Sequence, residues 1–147
     1  MYKLLNSEIL KLLARIMVAI VFLFFGVEKI AAPAKFAKEI LNYGFFPLFS
    51  VNLIAIILPW IEVIVGFALL FGIRIKSSAF LSGMLMLGFI VAVGIAIAMG
   101  LDISCGCSAS HDLKVGWQKI IENFAYLILS TYLFFFSSTK IGIDRIN

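Results

Sequence analysis

The sequence predicts an all-α membrane protein, a four-transmembrane-helix bundle with a short interfacial helix between its first and second spans. Three observations predict it. The 147 residues are 63% hydrophobic and 14% charged, against about 45–50% and about 25% in an ordinary soluble domain. A chain this short cannot hide so much apolar surface in one core, because a small domain leaves much of its area facing solvent. The apolar residues are also gathered into four stretches of about 20, the length of helix that crosses a hydrocarbon layer ~30 Å thick. No internal repeat or low-complexity linker divides them, so residues 1–147 read as one domain.

The first span is expected over about residues 9–30, with Arg15 near one end. It continues through Phe22-Leu23-Phe24-Phe25 without a small-residue cleavage site, so it reads as a retained helix and not as a signal peptide. A polar interval follows, from Pro33 to Gly44. Phe36, Ile40 and Tyr43 recur there at helical spacing, with Lys35, Lys38, Glu39 and Asn42 on the other side. Pro33 suits a helix start and Gly44 a helix stop. An amphipathic helix lying in the interface and a packed re-entrant connector both fit. The second span is expected over 49–71, the third over 78–101 and the fourth over 115–136. The third carries Gly88, Ala92, Ala96 and Gly100 at four-residue intervals, a stripe expected to admit a neighbouring helix closely, with a slot for a flat ligand as the alternative.

The net charge of +4 carries no nucleic-acid meaning, because the basic residues sit scattered at segment ends without forming a run. The expected surroundings are membrane lipid. Orientation is read from Lys and Arg. One side holds Lys3, Lys11, Arg15, Arg74, Lys76, Lys140 and Arg145. The other holds Lys29, Lys35, Lys38, Lys114 and Lys119, matched by Glu28, Glu39, Asp102, Asp112 and Glu122. Both termini are therefore expected in the cytoplasm, with the connection after the third span outside, in a multi-pass protein of the cell (inner) membrane.

That connection contains the two cysteines of the chain, in Asp102-Ile103-Ser104-Cys105-Gly106-Cys107-Ser108-Ala109-Ser110-His111-Asp112. Two cysteines exclude a disulfide-dense secreted scaffold. Cys105 and Cys107 are close enough to pair, and Gly106 eases the small ring. Such a disulfide closes almost no chain, so it adds little stability, and its strain makes it easy to reduce. A redox-active pair explains it better than a staple. The N-terminus of the fourth helix favours a thiolate; His111 and Lys114 assist, while Asp102 and Asp112 oppose. His111 is a candidate for proton transfer by its ordinary pKa. Two other readings stand beside this one: Cys105, Cys107 and His111 as ligands of Cu(I) or zinc, and plain thiols without a role.

Glu62 is the second candidate. It lies well inside the second span, where an acid is costly and faces a polar interior. It is expected to be protonated and hydrogen-bonded, or paired with Arg15 or Lys29. A proton relay, a hydrogen bond to a quinone and a structural interhelical bond all suit it. Glu28 and Lys29 read as an ion pair or snorkelling ends at the first span's outer end. Trp60, Trp117 and Tyr43 fit an interfacial aromatic belt, and Trp117 could also flank a quinone ring.

Taken together, Phe25-Gly26-x-x-Lys29, Pro33, Phe36, Pro59-Trp60-x-Glu62-x-x-x-Gly66 and Cys105-Gly106-Cys107 resemble the MauE/DoxX-like integral membrane proteins. The resemblance runs from about residue 14 to 136. After the cysteine pair the family commonly has an aromatic and a glycine, where this chain has Ser108 and Ala109. The resemblance implies a four-helix bundle and a part in extracytoplasmic disulfide chemistry. MauE is associated with maturation of the disulfide-rich small subunit of methylamine dehydrogenase, alongside a thioredoxin-like protein. DoxX-like relatives are linked with quinone-coupled sulfur oxidation. The architecture is also similar to DsbB and vitamin K epoxide reductase, which use Cys-x-x-Cys and further cysteines. The function expected from this is a membrane thiol–disulfide oxidoreductase. Cys105 and Cys107 would exchange a disulfide with a thioredoxin-like partner outside the membrane, supported by Glu62, His111 and Asp102. A quinone near Trp60, Glu62 and Trp117 would carry the electrons. The alternatives are a non-catalytic anchor or assembly factor for that partner, and a metal-handling protein.

Overall fold

The computed structural model describes residues 8–44, 47–100 and 117–136, and for 117–119 the helix alone. These residues form five helices and no strand: α1 (Glu8–Ala31), α2 (Pro33–Asn42), α3 (Leu48–Phe71), α4 (Ile75–Ala98) and α5 (Trp117–Phe135). Helices α1, α3 and α4 are long and apolar enough to cross a membrane, and α5 contributes a shorter apolar stretch, Ile120–Phe135. At 1.5 Å per residue a 24-residue helix reaches about 36 Å. The all-helical expectation therefore holds.

The third long helix begins at Ile75, three residues before its expected start, and stops at Ala98, short of 101. The turn before it is tighter than the sequence reading allowed. Gly72 takes a left-handed conformation (φ 69°) and Arg74 another (φ 43°). The Ile73 N–H donates back to the Ala68 carbonyl at 2.8 Å, a helix-closing pattern that a glycine permits. Ser78 Oγ then donates to the Ile73 carbonyl at 3.1 Å, tying the start of α4 to the turn. At the other end Gly100 (φ 66°) ends the helix.

The helices pack as two antiparallel pairs. α1 lies along α3, and α4 along α5; lesser contacts join α1 to α5 and α3 to α4. The main core is built from Ala14, Val18, Ala19 and Phe22 of α1, Val65 and Leu69 of α3, Ala79 and Met86 of α4, and Leu133 of α5. Between α4 and α5, Ser82 Oγ donates to Ser130 Oγ at 3.0 Å, with both residues buried.

The polarity of this bundle is inverted relative to a soluble protein. The outer stripe of α1 is Ile9, Leu13, Met17, Ile20, Phe24 and Val27, all exposed. Its inner face holds Lys11, Arg15 and Lys29, all buried. Lipid is the solvent that accepts the first set and excludes the second.

Close helix approach occurs at different glycines from those expected. Gly88 is exposed with nothing within 4 Å of an added Cβ, and Gly100 lies beyond the helix end. The tight contact is between α1 and α3. A Cβ on Gly26 would lie 2.7 Å from Val63 Cγ2 and 3.1 Å from the Pro59 carbonyl. One on Gly66 would lie 2.8 Å from Leu23 Cγ and 3.1 Å from the Ala19 carbonyl. The stripe on α4 has the right spacing, but of its members only Ala96 is buried among the described residues.

α2 packs chiefly on α3, through Phe36 and Ile40 against Val51 and Ala55. Glu39, placed by sequence on the polar side, is buried with them. It shares a hollow with Glu28, Lys29 and Ala32 at the end of α1, so the buried arc of α2 is wider than one apolar stripe.

Gly26→Ala and Gly66→Ala should each destabilise the folded protein by about 1–3 kcal/mol through overpacking. Gly88→Ala should cost nothing or stabilise by up to about 1 kcal/mol, as alanine is the better helix former. Thermal unfolding of the purified variants in one detergent checks this; equal losses at all three positions would contradict the assignment.

Candidate functional site

Lys29 and Glu62 meet inside the bundle. Lys29 Nζ donates to Glu62 Oε1 at 2.6 Å, and both side chains are 2% exposed. Helical spacing brings them there: Phe22, Gly26 and Lys29 share the inner face of α1, and Pro59, Glu62 and Gly66 that of α3. Gly26 lets α3 come close enough for the pair, since its missing Cβ would sit 3.2 Å from Glu62 Cβ. The ammonium also lies 4.4 Å from the ring centre of Phe89 in α4 and 5.0 Å from that of Phe36 in α2. An aromatic face attracts a cation, the more so away from water. Lys29 is thus held by one carboxylate and two rings, from three different helices. Of the two cations that sequence offered to Glu62, the structure selects Lys29, and Lys29 is neither a snorkelling end nor exposed.

A small cavity of about 10 Å³ adjoins the pair. Val21, Phe22, Phe25 and Lys29 of α1, Glu62 of α3, Met86 and Phe89 of α4, and Asn123 of α5 line it. Sequence reasoning passed over Asn123. The signal was present: an amide in an apolar helix is as conspicuous as an acid.

A second hollow, of about 50 Å³, opens beside it between the end of α1 and α2, lined by Glu28, Lys29, Ala32, Lys35, Phe36 and Glu39. Burial pushes the Glu39 carboxyl above its ordinary range; Lys35 and then Lys29 pull it back, and Glu28 adds to the upward push.

The other expected site residues fall differently. Trp60 stands 55% exposed on the outer face of α3, so the structure does not bring it together with Glu62. Asp102, Cys105, Cys107 and His111 lie outside the described residues, as does the side chain of Trp117. The chain places all of them in, or next to, the connection from α4 to α5. Arg15 is buried in α1, about four turns from Glu62's partner. Among the described residues no cluster of three or more His, Cys, Asp or Glu forms a metal-binding group.

An inverted bundle with a charged pair sealed among its helices defines an integral membrane protein. The chain belongs to the family of the methylamine utilisation protein MauE, which it matches over residues 7–136. No curated protein and no solved structure matches it.

Removing one member of a buried ion pair strands the other, at about 3–5 kcal/mol, whereas replacing both by apolar residues is far milder. Lys29→Met and Glu62→Met should each lower the unfolding midpoint strongly, and the double variant should recover most of the loss. Additive losses in thermal unfolding would show that the two do not act as a pair.

The Glu39 carboxyl binds its proton more tightly in the folded state. Its contribution is therefore full below the ordinary value of 4.5 and is lost as pH rises through the raised folded value. Glu39→Gln should raise the unfolding midpoint at neutral pH, with the advantage fading towards and below pH 4.5. A gain that is independent of pH would point to packing instead.

Proposed function

We propose that this protein is a membrane thiol–disulfide oxidoreductase that serves disulfide formation in a partner outside the cytoplasm. The observation that carries the reading is the lone Cys105-Gly106-Cys107 pair, set within the family-matched region between two apolar helices. A connection between such helices lies at a membrane surface. In this reading α5 completes a fourth span, and α2 lies towards the interface on the same side as the cysteines. The distribution of Lys and Arg supports placing both termini in the cytoplasm and the Cys105 connection outside. The family description further supports a place in methylamine utilisation, and in this reading methylamine dehydrogenase maturation is the process served.

The exchange runs as follows. A thiolate of a thioredoxin-like partner attacks the Cys105–Cys107 disulfide and forms a mixed disulfide. The partner's second thiol displaces it. The partner leaves as a disulfide, and Cys105 and Cys107 remain as two thiols. A lipid-soluble quinone reoxidises them by taking two electrons and two protons, becoming a quinol. Trp60, exposed among Ile56, Ile57 and Ile64, offers an aromatic surface to a ring arriving through the bilayer. His111 and Asp102 are the nearby groups suited to proton transfer.

Cys105→Ser and Cys107→Ser should each abolish oxidation of the partner while leaving its binding intact. Unchanged oxidation by both variants would leave the second reading, a non-catalytic anchor for the same partner, which the absence of any further cysteine also favours. Labelling of reduced intact cells with a membrane-impermeant alkylating reagent should modify both thiols; modification only after membrane disruption would reverse the orientation.

A further inference from the structure

The carboxylate of Glu62 uses one oxygen for Lys29. Its other oxygen, Oε2, is buried and has no hydrogen-bond partner among the described residues, and the same is true of Asn123 Nδ2. Both residues line the same small cavity, and both are more than nine-tenths buried, at 2% and 6% exposure. Leaving a buried polar group unmet costs about 1–3 kcal/mol, and more for a charged one. Two residues that carry such groups line one cavity and mark a place built for something else.

Their chemistry narrows what it is. Glu62 Oε2 accepts hydrogen bonds, and Asn123 Nδ2 donates them. A bare cation would face the Asn123 donor and the Lys29 ammonium. An anion would face the Glu62 carboxylate. A group that donates once and accepts once satisfies both, and a hydroxyl does so. The cavity of about 10 Å³ is near the lower limit for one water molecule by the same measure. Its remaining walls, Val21, Phe22, Phe25, Met86 and Phe89, are apolar and leave these two polar atoms, with the Lys29 ammonium, to orient the occupant.

We propose that Glu62 and Asn123 form a socket for a single hydroxylic ligand, a water molecule, that donates to Glu62 Oε2 and accepts from Asn123 Nδ2. The site joins α3 to α5, which belong to different helix pairs. With Lys29 it makes a continuous polar chain from α1 through α3 to α5. It also gives Glu62 a proton-exchanging neighbour inside an apolar bundle. The socket stands on the geometry of the pair and does not depend on the thiol reading.

Nuclear magnetic resonance of the full-length protein in deuterated detergent, with asparagine labelled by nitrogen-15, tests it. The Asn123 side-chain amide, assigned by its loss in Asn123→Leu, should show a cross-peak to the water frequency. The sign in the rotating-frame experiment should be that of a long-lived bound water and not of chemical exchange. In Glu62→Gln, which keeps the shape of the site, the amide should shift and the cross-peak should weaken several-fold. A cross-peak to a hydroxyl of bound lipid or detergent would also support the socket, with another source of the same group. An Asn123 amide with no hydroxyl or water contact in the unmutated protein, or one indifferent to Glu62→Gln, would overturn it.

Discussion

An ammonium and a carboxylate sealed inside a lipid-facing bundle impose conditions on everything near them. Each charge is costly to remove from water, and their attraction offsets that cost only with close geometry and further favourable partners. Lys29 and Glu62 meet the first condition at 2.6 Å. The rings of Phe36 and Phe89 supply the second. Close geometry in turn requires two helix backbones to approach, which Gly26 and Gly66 permit. The pairing of α1 with α3, the seating of α2 through Phe36 and the contact with α4 through Phe89 all converge on the Lys29 ammonium.

The second helix pair is joined more simply. α4 and α5 share a buried serine–serine hydrogen bond and pack their apolar faces, with Phe80 against Phe134 near one end. Lipid provides no hydrophobic drive to bring helices together, so polar contacts and close packing do it. Asn123 extends this second pair towards the charged one. The two pairs thus meet at their polar residues as well as across the shared apolar core.

Two members of the cluster lie near helix ends. Lys29 lies in the last turn of α1, and Asn123 in the second turn of α5. The connection that carries Cys105 and Cys107 runs into the start of α5. Of the polar cluster, Asn123 is therefore the residue nearest that connection along the chain.

Composition and periodicity determined the solvent of this protein, its helical class and three of its long helices, because apolar runs of membrane-spanning length have few other solutions. They also marked Glu62 as a buried acid needing a partner, named Lys29 among its candidates, and singled out the two cysteines. Tertiary structure decided the rest. Whether Lys29 or Arg15 neutralises Glu62 depends on which helix face opposes which, and one sequence does not record that. The glycines at close contact are Gly26 and Gly66 and not the regular stripe on α4, because spacing shows that a helix could approach and only packing shows where one does. Glu39 turned inward for the same reason: α2 meets the end of α1 as well as α3. Asn123 acquired significance only when it came to line the same cavity as Glu62, a meeting of residues 61 positions apart that arises from helix packing and from no local pattern.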